Sequence, residues 1–162
     1  ALRWLLRVAK RPEHDVRVID KLYEIAMARK DYPVAREAAE LRWRVARTTT
    51  SRLKLAKVQY ALGDYDVLLK TTADLASWSG RIDEKGEVWL IVCDVHSARR
   101  DWDNALQCLH RLDASGLVAT NRTTINKRLA YINEQRTYES KMQAAEALER
   151  SVNEKRKPAP KD

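Results

Sequence analysis

The chain has 162 residues, 33% of them charged, only four Gly and four Pro, and a formal net charge of +8. This size permits one domain with a continuous core. The scarcity of Gly and Pro favours helices over a sheet, and no apolar run reaches the length of about 18 residues that a membrane span needs. Charge is uneven: residues 1–50 carry 12 basic and 7 acidic side chains, residues 51–119 carry 9 and 10, and residues 120–162 carry 10 and 6. Basic ends around a near-neutral middle point to an acidic partner, nucleic acid among them.

Because residue 1 is Ala rather than Met, a fragment or processed form is expected. Residues 1–11 hold four basic side chains and no acidic one. An organelle transit peptide shares that composition, but the favoured reading is the second helix of a preceding repeat, stopped at Pro12. Val16, Ile19, Leu22, Tyr23 and Ala26 then mark one face of a helix, and Ala35, Ala38, Ala39, Leu41, Val45 and Ala46 mark the face of the next. Further on, Trp89, Val92, Cys93 and His96 form one face, matched by Ala105, Leu109 and Leu112 on the helix after it. Trp78–Gly86 reads as a longer connection, the expected mobile or partner-contacting loop. Beyond Gly116 no Gly or Pro appears until Pro158. The apolar positions there skip at Arg136, so a degenerate fourth hairpin around Tyr138 is expected, with one long capping helix as the alternative. Residues 151–162 read as a disordered basic tail.

Between paired helices one short phrase recurs: Lys30-Asp31-Tyr32, Gly63-Asp64-Tyr65 and Arg100-Asp101-Trp102, with the aromatics 33 and 37 residues apart. A period near 34 signals a stacked array of helix pairs. Gly63 suits a left-handed helix end, Asp64 can cap the next helix, and Tyr65 can plug the angle between them. Keeping that geometry at Lys30 or Arg100 costs about 1 kcal/mol, so those copies are degenerate.

Gly63-Asp64-Tyr65-Asp66, with Trp89 and Ala105 at their offsets, resembles the tetratricopeptide repeat. The resemblance covers about residues 1–150, with residues 13–150 as the repeat domain and residues 1–12 as the end of a preceding repeat. It implies an all-α fold, a right-handed α-α superhelix of three to four hairpins whose inner groove grips a peptide or neighbouring protein. Leu68 stands where that family has a small residue. The third unit also resembles the pentatricopeptide repeat through Leu112–Leu117 and Thr123. That resemblance places Asp20, Leu53, Leu90 and Ile125 at base-reading positions, and three aliphatic side chains there cannot hydrogen-bond a base edge.

Candidate chemistry is sparse. Cys93 and His96 share a helical face, but Cys108 and His110 are two apart and point in opposing directions, so the four do not form one metal site. The cysteines read as small core residues. Two cysteines make no disulfide framework, and a reducing compartment, cytoplasm or organelle matrix, is expected. No hydrolase, kinase or phosphate-loop motif is present, so neither catalysis nor a cofactor is expected. In the implied register Arg17, Glu24, Lys57, Tyr60 and Asp94 line the groove, where acids would repel the carboxylate that chaperone-clamping repeats bind. Arg42, Trp43, Arg44 and Arg47 sit in the densest basic stretch and read as a contact patch, with Glu40 pairing to Arg44. The expected role is a non-enzymatic scaffold or adaptor docking a protein within a multi-subunit assembly. The alternative is a ribonucleoprotein subunit, mitochondrial for instance, that touches RNA phosphates without reading bases.

Overall fold

A computed structural model describes residues 2–9, 15–116 and 122–155. All regular structure among them is helical: α1 (Leu2–Ala9), α2 (Val16–Ala28), α3 (Tyr32–Val45), α4 (Thr49–Leu62), α5 (Tyr65–Thr72), a single 3-10 turn at Leu75–Ser77, α6 (Ile82–Ala98), α7 (Trp102–Ala114) and α8 (Arg122–Lys155). No described helix is long and apolar enough to cross a membrane. Pro12, Leu117 and residues 156–162 lie outside the described residues, so the readings made on them are not addressed, whereas residues 151–155, read as the start of a disordered tail, are helical.

The three recurrent phrases fold alike. Lys30, Gly63 and Arg100 all adopt positive φ, at 56°, 75° and 58°. In each, the following aspartate N–H donates to the carbonyl five residues back: Asp31 to Ala26, Asp64 to Gln59 and Asp101 to His96, all at 2.9 Å. These are the bonds of a Schellman ending, which satisfies carbonyls that the helix leaves open. Asp31 and Asp101 also accept from the backbone N–H of Val34 and Asn104, as N-caps do. Asp64 makes no such bond and instead accepts from Arg36 at 2.9 Å. Tyr32, Tyr65 and Trp102 follow, each half-buried at the first position of its helix.

Packing follows chain order. The helices pack pairwise as α1 with α2 and α3, α2 with α3, α3 with α4, α4 with α5 and α6, α5 with α6, α6 with α7 and α7 with α8. Ile19, Leu22 and Ala26 of α2 meet Val34, Ala35 and Ala38 of α3 in one apolar cluster. The small side chains of α3 allow α2 to lie close against it. Leu53 and Ala56 of α4 join Leu68, Leu75, Trp78 and Val88 in a second cluster. Leu90 and Cys93 of α6 join Leu109, Leu112, Ile125 and Ile132 in a third.

Four expectations change. α3 buries Val34, Ala35, Ala38, Ala39 and Arg42, leaving Val45 52% exposed, so its face ends on a charged residue. The segment from Trp78 is not an open loop. Trp78 is buried, and α6 begins at Ile82 and includes Gly86. The chain passes close at Gly80, where a Cβ would collide with the Thr49 side chain. Cys93 and Cys108 are core residues as read, but they also form a disulfide between α6 and α7, so cysteine usage no longer argues for a reducing compartment. Finally, residues 122–155 form one 34-residue helix rather than a hairpin. Arg136 pairs with Asp103 of α7 at 3.0 Å, so a polar side chain at that step has a partner and the helix need not break.

Candidate functional site: a face of inter-helix ion pairs and an aromatic-arginine corner

Consecutive first helices of the pairs, α2, α4, α6 and α8, are tied by polar side chains. Asp20 of α2 accepts from Lys54 of α4 at 2.8 Å and from Arg42 of α3 at 3.0 Å. Thr50 of α4 donates to Glu84 of α6 at 2.8 Å, and Lys57 pairs with Glu87 at 2.8 Å. Asp94 of α6 accepts two bonds from Arg128 of α8, at 2.6 and 2.7 Å. Three of these ties, 20–54, 50–84 and 94–128, join residues 34 apart. A bidentate carboxylate–guanidinium pair is stronger and more directional than a single ion pair. Its bonds also hold the Arg128 pKa above the ordinary arginine value.

Above the last tie lies a recess of about 230 Å³ lined by Tyr60, Asp94, Ser97, Arg128 and Tyr131. Tyr60 is 36% exposed and its ring lies 5.8 Å from Tyr65. Burial, and after it the Asp94 charge, raises the Tyr60 phenol above its ordinary pKa. The hydroxyl is therefore a neutral hydrogen-bonding group at physiological pH. The recess offers two aromatic rings beside a neutralised charge pair.

A second corner forms where α3 meets α4 and the chain after α5. The Arg52 guanidinium lies 4.7 Å from the Trp43 ring centre and 4.1 Å from that of Trp78, between two indoles. Its Nη1 donates to Asp74 at 2.7 Å, and Trp78 Nε1 donates to the same carboxylate oxygen at 2.7 Å. These two bonds, Arg52 first, hold the Asp74 carboxyl below the usual carboxylate range. Arg47 reaches the Trp43 ring at 5.8 Å, and the corner encloses a recess of about 260 Å³. Cation–π contact of this kind is worth more as water is excluded. Here it fastens Trp78 into the body.

The structure thus groups Tyr60 with Asp94, Lys57 with Glu87, and Trp43 with Arg47. Other sequence candidates stand apart. Arg17 is exposed and bonds Asp15 beside the start of α2. Glu24 pairs with Lys21 at 3.4 Å in solvent. Arg44 is exposed, and Glu40 pairs with Arg36 at 3.0 Å instead of with Arg44. Arg42 is corrected outright: it is buried, bonded to Asp20, Ser51 and the Ala46 carbonyl, and cannot contact a partner. Leu53, Leu90 and Ile125 are also buried, at 8%, 7% and 1%, so no base could reach them. Sequence reasoning missed Arg128, Tyr131 and Asp74, and it did not join Arg52 of the basic stretch to Trp78. The 34-residue step from Asp94 would have found Arg128, whereas nothing local couples Arg52 to Trp78. Among the described residues no group of three or more His, Cys, Asp and Glu could hold a metal ion. Comparison of the chain with protein-family models, curated proteins and solved structures finds no match.

Proposed function

We propose that the chain is a tetratricopeptide-like scaffold, a right-handed superhelix of helix pairs that docks a protein partner within a multi-subunit assembly and performs no catalysis. The observation that supports this reading is the repeated geometry: three Asp-aromatic turns, 33 and 37 residues apart, with the same bond from the aspartate N–H to the carbonyl five residues back, and three polar ties that each join residues 34 apart on successive first helices. Each repeat would then contact its neighbours alone, and the first helices would together present one continuous groove. Tyr60, Lys57, Asp94 and Tyr131 are the groove residues proposed to meet the partner. Their charges are matched within the protein, so the partner segment is expected to be near-neutral and to bring an apolar or aromatic side chain to the Tyr60–Tyr131 recess.

The RNA reading draws less support. Of the basic stretch, Arg36, Arg42, Arg52, Lys54 and Lys57 all pair with acidic groups of the protein itself. Affinity capture of the partner, followed by binding to the Tyr60→Ala/Tyr131→Ala protein, tests the assignment: tenfold or greater loss is expected, on the order of an interface hot spot. Retained affinity would contradict it. Filter binding at low salt tests the alternative, since phosphate contact must weaken steeply as salt rises and be lost on Arg44→Glu/Arg47→Glu.

A further inference from the structure

The far part of α8 is exposed on every side from Ser140 to Arg150. One of its faces nonetheless carries a run of apolar side chains, with Lys141 and Glu149 among them. Tyr138, Met142, Leu148 and Val152 are 60%, 45%, 67% and 40% exposed, and with Ala145 they recur at steps of 4, 3, 3 and 4. At 100° per residue Tyr138 lies about 120° around the helix from Ile132, so this stripe does not continue the face that packs on α7. It is a second, separate stripe, and among the described residues nothing packs against it.

We propose that this stripe pairs with the same stripe of a second copy of the chain, antiparallel and two-fold symmetric about Ala145. The order of the residues carries the argument. Tyr138 and Val152 lie seven positions either side of Ala145, Met142 and Leu148 lie three either side, and Lys141 and Glu149 lie four either side. Antiparallel pairing therefore sets Tyr138 level with Val152 of the other copy and Met142 level with Leu148. It also brings each Lys141 beside the other copy's Glu149. Parallel pairing would set lysine on lysine and glutamate on glutamate, which is unfavourable for charges only about 40° around the helix from the seam's centre at Ala145. The small side chain of Ala145 at the centre lets the axes approach closely. Such a contact is self-complementary, so it closes at a dimer and leaves no free copy of the stripe for further growth.

Sedimentation equilibrium of the whole chain tests this, with far-UV circular dichroism confirming helicity. The expected result is a reversible monomer–dimer equilibrium that weakens about tenfold on Lys141→Glu and on Glu149→Lys, since each reversal turns two weak attractions into repulsions. The double reversal, Lys141→Glu/Glu149→Lys, restores the wild-type constant to within about threefold. Neither residue forms an ion pair within its own described helix, and both are exposed, so the variants retain the fold. A protein that stays monomeric at every attainable concentration would overturn the proposal. So would a dimer indifferent to the single reversals, or a double variant no tighter than the singles.

Discussion

In the first half of α8, Ile125 and Ile132 are 1% exposed against α7, whereas Leu148 and Met142 in the second half are 67% and 45% exposed. Among the described residues, the last bonds holding α8 to the body fall at Arg136 and Glu139, which meet Asp103, Arg100 and Trp102 around the start of α7. Helical propensity alone carries the chain beyond that point: Gln143-Ala-Ala-Glu-Ala-Leu-Glu-Arg150 is rich in strong helix formers and lacks Gly and Pro. One half of the helix is therefore specified by burial and the other by local preference. The same substitution should have very different consequences in the two.

Truncating Leu109, fully buried between α7 and its neighbours, should lower unfolding free energy by about 4 kcal/mol as Leu109→Ala. Leu148→Ala should stay within about 0.5 kcal/mol at a concentration where the chain is monomeric. Urea denaturation reads both, and similar losses would break the contrast. Reducing the Cys93–Cys108 disulfide, whose sequence separation is 15, should cost about 3 kcal/mol in the chain-entropy view. Its effect should confine itself to the packed body, leaving the amide exchange of residues 140–150 unchanged. At the turns the expected sign is opposite. Lys30→Gly relieves a positive-φ lysine and should stabilise by about 0.5–1 kcal/mol, whereas Gly63→Ala, sterically open but at φ 75°, should destabilise by about 1 kcal/mol.

The smallest effect is expected from acid. Hydrogen bonds from Arg99 to Asp66, from Arg52 and then Trp78 to Asp74, and from Asn104 and then His96 to Asp101 hold these carboxyls below the usual range. Their folded-state values lie below their unfolded ones. Their stabilisation is thus complete above about pH 4 and is lost as pH falls through the lowered values. A Trp78→Phe protein, lacking one donor to Asp74, should show a shallower acid loss of the denaturation midpoint.

The turns were legible because their chemistry is local: a left-handed residue, an aspartate that caps in two of the three copies, and an aromatic in three consecutive positions. The apolar faces of α2 and α7 were legible for the same reason, since period alone marks them, whereas α6 buries Val88, Leu90 and Val95 besides Cys93 because neighbours pack on more than one side of it. Arg42 was not legible, because it reads as one of several surface arginines. It lies four residues after Ala38, however, on the face that α3 buries, and only the arrival of Asp20 and Ser51 makes burial of its charge tolerable. The unbroken α8 was only the second reading because an apolar gap at Arg136 looks like a break until Asp103 is seen beside it. Arg52 between two indoles and Cys93 bonded to Cys108 depend on separate segments meeting, which no window of sequence contains.

The central structural claim is that polar ties at period 34 register successive first helices, and the Asp94–Arg128 pair, bidentate and about one-third exposed or less on each side, tests it most directly. A double-mutant cycle with Asp94→Asn, Arg128→Gln and the combined variant, followed by urea denaturation, should give a coupling energy of about 1–2 kcal/mol. Strict additivity of the two single losses would contradict the claim.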